Sequence, residues 1–483
     1  MPSQTFAQFY NLGKHQYELD FVDVPINNGD LPLFIDPYAI SKRNDRWSVD
    51  CHNKIVSFFQ RALDCIRKGE QDKVHYMFSQ LKEPNETRFG LSHERPRGRG
   101  IGDEQADDLS HALTESTAVR TGLIVDLEDC ELLIDGIGRD KISDLTTNII
   151  KANLISYTAD QCELFNIPTH DLPVGFVWNF ETNQWDSVSA PLPVCNDRKV
   201  ILVPKAIARF DSEFSYTEYH QHFVLNFLQA ESLNAGDSLV RTLKNGEKRP
   251  PTKKSLKENH PATKSYLYTF TKEHPEVLQK YKRSKAEKLK DITNEELAVL
   301  AEQEQKYDFD GAKAKLDAIP TGDTSADDYH SHMIGVMTAI FYPHLIHPHK
   351  EHRIHNGRKR IDIVHENAAK DGFFLTLPQN KNVPSAYIFS ECKNYSEDPA
   401  NHELDQLSGR FSINRGKFGF LLCRKIENKD LFFQRCKDTA QDDRGFIIPL
   451  DDEDIKLLLD LKKQKKEREI NSFLGECFKK LVS

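Results

Sequence analysis

Apolar residues in this chain recur at two different periods, and the change of period marks its organisation. Ile55, Phe58, Phe59, Ala62, Leu63 and Ile66 fall at helical spacing, which predicts helices across residues 53–81. LPLFIDPYAI predicts a short strand ended at Asp36-Pro37, and RKVILVPKAIARF predicts another, with Lys205 and Arg209 at its end. Between them, TGLIVDLEDCELLIDGIGRDK predicts two short strands running through Asp135-Gly136-Ile137-Gly138 into a helix capped near Ser143. DDYHSHMIGVMTAIFYPHLI predicts a helix with Ile334, Met337, Ile340 and Phe341 inward. Beyond it the period shortens. Five to seven apolar, β-branched or aromatic positions between turn-prone segments predict strands at 360–364 and 385–394. A helix from about 401 to 413, a stop at Gly416 and a strand over 418–424 follow. The last stretch predicts two amphipathic helices, whose Leu457, Leu458 and Leu461 suit packing or self-association.

Composition narrows the class. At 483 residues the chain is long enough for two to four domains, and 38% hydrophobic with 10% aromatic residues is ordinary for a globular protein. The N-terminus lacks the apolar core of a signal peptide and no run of 18 apolar residues occurs, so a cytoplasmic protein without a membrane partner is expected. Nine cysteines without paired CxxC spacing indicate reduced, mostly buried thiols.

Charge changes the picture most in the two core strands. Asp362 sits between Ile361 and Ile363, and Glu391 and Lys393 interrupt YIFSECKN. Strand alternation places Tyr387, Phe389, Glu391 and Lys393 on one face and Ile388, Ser390 and Cys392 on the other. A carboxylate and an ammonium at the end of an apolar strand are costly to bury unless they face each other, a metal or a charged substrate.

An Asp on one strand and a Glu-X-Lys on the next, here Asp362 and Glu391-Cys392-Lys393 with 28 residues between the Asp and the Glu, resembles the PD-(D/E)XK nuclease superfamily. Ile361 stands where the name of that superfamily has Pro. The strand, loop, helix and strand order after Glu391 is the one that its restriction-endonuclease-like core requires. Gln406 resembles the glutamine that follows Glu-X-Lys in the Mrr-like and RecB-like branches, while Arg410 stands where a Tyr is often found. The resemblance covers residues 323–455 and implies a Mg²⁺- or Mn²⁺-dependent deoxyribonuclease, an endonuclease, with Asp362, Glu391, Lys393 and Gln406 catalytic. Asp362, Glu391 and the Cys392 backbone carbonyl would hold the metal, and Glu351 offers a carboxylate for a second ion. No other cofactor is implied. Such domains joined to large accessory regions are frequent in restriction and anti-phage defence, which is the setting expected here. The residues admit RNA as well as DNA, and a nucleic-acid-binding or interaction protein with a catalytically silent nuclease fold is the alternative.

Three further features bear on partners. Between 244 and 290, 14 Lys or Arg meet 5 Glu, a local net of +9 in a chain whose total is −9. Tyr266, Tyr268, Phe270 and Tyr281 interleave with them, a pattern suited to phosphate contact with base stacking. Lys248, Arg249, Lys253 and Lys254 are therefore expected to touch nucleic acid, with Arg360 and Arg410. Gly98, Gly100 and Gly102 alternate with Arg97 and Arg99 beside Arg95, which reads as a surface loop more readily than as a phosphate cradle, since no Gly-Lys-Ser/Thr ending follows. The aspartates 126, 129, 135, 140 and 144 are explained by turn and cap chemistry. Histidines 330, 332, 344, 347, 349, 352 and 355 are dense but lack paired spacing for zinc, and His332 is expected to face the site.

The expected architecture is multidomain α/β (α+β). Residues 1–236 form a mixed α/β recognition or regulatory region, 237–322 a basic helical connector, 323–455 the nuclease domain with a mixed central sheet flanked by helices, and 456–483 amphipathic helices. The N-terminal region and the last helices are the expected surfaces for a partner protein or a second copy.

Overall fold

The computed structural model of the chain describes residues 4–27, 29–90, 110–235, 240–243, 247–300, 306–350 and 363–483. Its centre of organisation is a five-stranded mixed sheet in the C-terminal half, built from β1 (Leu345–His349), β2 (Ile363–Asn367), β3 (Tyr387–Lys393), β4 (Phe418–Cys423) and β5 (Phe446–Asp451) in the order β5-β4-β3-β2-β1. β1, β2 and β3 pair antiparallel, whereas β3, β4 and β5 pair parallel. Parallel neighbours need crossover helices, which cover both sheet faces, so β4 reads FGFLLC and is buried along its whole length.

Helices α1 (Ala326–Phe341), α2 (Gly372–Asn380) and α6 (Glu467–Val482) cover one face, where Phe420 of β4 stacks on Phe341 at 5.7 Å and Phe418 meets Phe373 at 5.6 Å and Phe478 at 6.5 Å. α3 (Asn401–Ser408) and α4 (Lys429–Gln441) cross between the parallel strands, and α5 (Asp452–Lys463) follows β5. Ile334, Met337, Ile340 and Phe341 of α1 are all buried, as their spacing predicts. The helix ends at Phe341, and the residues after Pro343, expected to continue it, form edge strand β1. A proline has no N–H to extend a helix, and Pro348 is tolerated in β1 because an edge strand leaves some N–H positions unused.

Two boundaries differ from the pattern-based expectation. Tyr307, Leu316 and Ile319, and Ile470, Leu474, Phe478 and Leu481, are buried in the same cluster as the sheet residues. The C-terminal unit therefore starts before 323, and the last helices are part of its core. Only Leu458 of the three leucines offered for self-association is fully buried, while Leu457 is 44% exposed. The basic connector is not a separate piece either. Leu267, Phe270, Val277, Leu278 and Tyr281 belong to the N-terminal core cluster, with Tyr266 and Tyr268 packed against it. Phe270 and Tyr281 are core side chains, which removes them from base stacking, whereas Tyr266 and Tyr268 stay half-buried at the edge of the core.

In the N-terminal half, Asp36 caps the helix Pro37–Ser41 and Asp45 caps Arg46–Arg67. The two strands expected before Ser143 are absent among the described residues, and the helix Asp129–Leu133 stands in their place. Ser143 lies within the helix Arg139–Ile149, where its Oγ accepts from the Ile35 N–H at 2.9 Å. Asp126 and Asp129 share Lys282 at 3.2 and 2.6 Å, so an ion pair accounts for that part of the acidic cluster. The loop with Arg95, Arg97 and Gly98 to Gly102 lies outside the described residues.

RKVILVPKAIARF is broken into two-residue strands around a single 3₁₀ turn, Lys205–Ile207. Lys205 and Arg209, whose place at a strand end suits contact with nucleic acid or an acidic ligand and equally a solvated end, are instead buried where the halves meet. Arg209 and Arg43 both pair with Asp291, at 3.3 and 2.8 Å. The Lys205 Nζ donates to Asn294 Oδ1 at 2.8 Å and lies 4.1 Å from the Tyr342 ring centroid. Burial lowers this ammonium from 10.5 to about 7, against the pull of Asp20. The unfolded chain keeps that proton up to about pH 10.5, so unfolding takes up a proton between about pH 7 and 10.5 and stability rises with pH across that window. Lys205→Met is expected to flatten this slope, which amounts to on the order of 4 kcal/mol over the window. Urea unfolding at pH 7, 8.5 and 10 measures it, and an unchanged slope would mean that the ammonium stays charged when buried.

Candidate functional site

β3 positions the first two site residues by alternation. Glu391 and Lys393 point to the face covered by α3, while Cys392 turns to the opposite face toward Ile334. The Lys393 Nζ donates to Glu391 Oε1 at 3.0 Å and to Gln406 Oε1 at 3.0 Å. The Gln406 Nε2 donates to the same Glu391 oxygen at 2.6 Å. Glu403, one turn earlier on α3, accepts from the Ala400 N–H at 2.7 Å and from the Tyr395 hydroxyl, which fixes the start of the helix that delivers Gln406.

Arg410 completes the cluster from an unexpected direction. The helix predicted to reach 413 ends at Ser408, and the chain turns back so that the Ser412 N–H donates to Gly416 O at 3.0 Å. Phe411 leaves the helix to pack on Phe389 at 5.6 Å, which holds the turn under the sheet. Gly416 has φ +154°, and a Cβ there would lie 2.5 Å from the Tyr387 carbonyl oxygen, so the turn requires glycine. As a result the Arg410 Nη1 donates to Glu391 Oε2 at 2.7 Å, with both side chains 2% exposed. Arg410, expected to face nucleic acid, is instead the inward counter-charge of Glu391. A buried carboxylate is tolerated only when paired and hydrogen-bonded, and Glu391 meets that condition through three donors. The available sequence signal was a single cation set between the apolar Leu407 and Phe411.

The opposite face of β3 borders a cleft of about 150 Å³ lined by Asp327, Tyr329, His330, Lys350, Cys392 and Asn394. Asn394 is locked at its edge, donating to the carbonyls of Pro320 and Gly322 at 3.0 and 2.9 Å and accepting from Arg424 Nη1 at 3.0 Å. Arg424 also donates to Asp452 at 2.8 Å, and burial raises that carboxyl to about 6 although Arg424 opposes the shift.

The remaining expected residues divide into three groups. Glu351, Arg360 and Asp362 lie outside the described residues. Ile363, the residue after Asp362, pairs with Ser390, the residue before Glu391. His332 does not face Glu391: it is 1% exposed, hydrogen-bonded through Nε2 to Ala312 O at 3.0 Å, and lowered by burial to about 4. Lys248, Arg249 and Lys254 are exposed, and the Lys253 Nζ donates to Gln221 O at 2.8 Å. Lys248 and Arg249 form a two-residue strand paired with Arg241–Thr242, and the helix of Lys253 and Lys254, Lys253–Asn259, packs on Leu225–Ala235 of the N-terminal half. No group of three His, Cys, Asp or Glu placed to hold a metal occurs among the described residues, and no helix there is long and apolar enough to cross a membrane.

Comparison with known proteins adds one finding. Residues 11–215 match a family model described as a domain of unknown function, DUF8370, a span that ends before the basic segment and the five-stranded sheet. No curated protein and no solved structure matches the chain.

Proposed function

We propose that the chain is a divalent-metal-dependent endonuclease that hydrolyses DNA phosphodiester bonds, working in a restriction or anti-phage setting. The observation that carries this reading is the meeting of Glu391, Lys393 and Gln406, three residues named from a sequence motif, within 3.0 Å of one another at the end of a sheet strand.

The donor chemistry suits a hard cation. Glu391 supplies carboxylate oxygens and Cys392 a backbone carbonyl, and Asp362 and Glu351 would complete the set with oxygen ligands of the kind that Mg²⁺ or Mn²⁺ prefers. A bound ion of this type polarises the phosphate and lowers the pKa of a coordinated water. The protein's own residues do the rest. Lys393, 16% exposed and held by Gln406, is the one charged member of the cluster open to solvent among the described residues, and it orients the water or offsets charge on the phosphate. Arg410 holds Glu391 in place from behind through the contact to Oε2.

The direct test is cleavage of supercoiled and linear DNA with Mg²⁺, Mn²⁺ or EDTA, with Asp362→Ala beside the wild type. Nicking that requires the ion and falls at least about 10³-fold in the variant is expected. Absence of both cation-dependent cleavage and Mn²⁺ binding in the wild type would reject the reading in favour of a silent, binding-only fold.

A further inference from the structure

We infer that the seam between the two halves forms a binding site for a nucleotide-class ligand, a flat ring joined to a phosphate. A cavity of about 960 Å³ opens there, lined by the N-terminal His15 and Tyr17, by the stretch from 291 to 299, by 306–309, and by the corner at 462–467. That size encloses a small organic ligand, and cavities where separate units meet are where such ligands usually bind.

The floor is aromatic. Tyr17 and Tyr307 stack with ring centroids 4.9 Å apart and planes 6° from parallel, and Phe309 stands edge-on to them at 5.9 and 4.7 Å. Such a platform accepts a planar ring by stacking. The Tyr307 hydroxyl is buried with no hydrogen-bond partner. With its hydroxyl shut off from solvent, Tyr307 offers the cavity its ring and not a hydrogen bond.

The fringe is cationic. Lys306, Lys462, Lys463 and Lys465 all line the cavity. Lys462 pairs with Glu467 at 2.7 Å, Lys465 with Glu295 at 3.3 Å, and Lys463 with Asp310, but those carboxylates are 46%, 52% and 62% exposed. Exposed pairs of this kind contribute little, so a phosphate can take over the ammonium groups at small loss. Asp291, another acidic residue of the lining, is already neutralised by Arg43, Arg209 and Lys370 at 2.8, 3.3 and 3.1 Å. Stacking floor and ammonium fringe together select a ring with a phosphate over either alone. Because both halves contribute, bound ligand stabilises their closed arrangement. This inference is independent of the nuclease reading.

The test uses the full chain, anilinonaphthalene sulfonate as a fluorescent aromatic anion, and AMP as competitor. One saturable dye site is expected, with dye displaced by AMP and the thermal midpoint raised by AMP. Ala298, 7% exposed in the cavity wall, is replaced by Trp to fill the space, and dye and AMP binding should both disappear. Lys465→Glu, at a side chain 81% exposed, serves as a variant that leaves the fold undisturbed and should weaken AMP at least about tenfold. AMP that moves neither signal, equal AMP affinity in Lys465→Glu, or displacement by inorganic phosphate at the same concentration as AMP would each overturn the assignment.

Discussion

Lys393→Ala is expected to reduce metal-dependent DNA cleavage by about 10³-fold while leaving the fold intact, the largest functional effect of any single change among the described residues of the site. The reason lies in how the cluster is wired. Removing the Lys393 ammonium takes away a site cation with access to solvent, but Glu391 keeps Gln406 on Oε1 and Arg410 on Oε2. No buried charge is left unpaired, so the urea midpoint should move little. Gln406→Ala is the graded companion: it frees the Lys393 side chain and removes one donor from Glu391, and a smaller loss, about tenfold, is expected. Single-turnover cleavage with Mg²⁺ and Mn²⁺ measures both. Wild-type rates in Lys393→Ala would remove it from the chemistry and leave the cluster a structural one.

Arg410→Met is expected to have the largest effect on stability, a loss of about 3–5 kcal/mol, because it strands a carboxylate that is 1% exposed. The double variant Glu391→Met with Arg410→Met should recover most of that loss, since a well-packed apolar pair of similar volume replaces two desolvated charges. A double-mutant cycle by urea unfolding separates the pair term from packing. If Arg410→Met alone were neutral, the contact would be dispensable and Glu391 adequately held by Lys393 and Gln406. The cycle is informative for function as well. If a divalent ion binds Glu391 as proposed, it competes there with the Arg410 guanidinium, and Mn²⁺ is expected to restore part of the stability of Arg410→Met and none of the double variant's.

How far the chain could be read in advance depended on whether a residue's neighbours are local. The placement of Glu391 and Lys393 on one strand face follows from backbone alternation alone. The four residues of α1 expected inward are all buried, but so is every residue from His332 to Phe341, because this helix is enclosed on all sides. The contact of Gln406 with Glu391, 15 positions apart in sequence, joins two residues that the motif resemblance names.

Other features were settled by contacts that sequence pattern does not encode. Arg410 reads as a surface cation on a helix; it becomes buried because Phe411 packs on Phe389 and pulls the chain out of the helix at Ser408. Lys205 and Arg209 read as a charged strand end, yet the packing of one half on the other encloses both. The aromatics of the basic stretch resemble a stacking surface, but apolar area removed from water outweighs the local charge, and Phe270 and Tyr281 go into the core. The final helices look separable by composition, and their apolar faces instead complete the sheet's core. Sequence by itself determined the strand face that carries Glu391 and Lys393 and the helix that brings Gln406, because both rest on short-range periodicity. Only the tertiary structure decided which cations pair with which carboxylates, and which charges are buried at all, because those depend on where distant segments come to rest against one another.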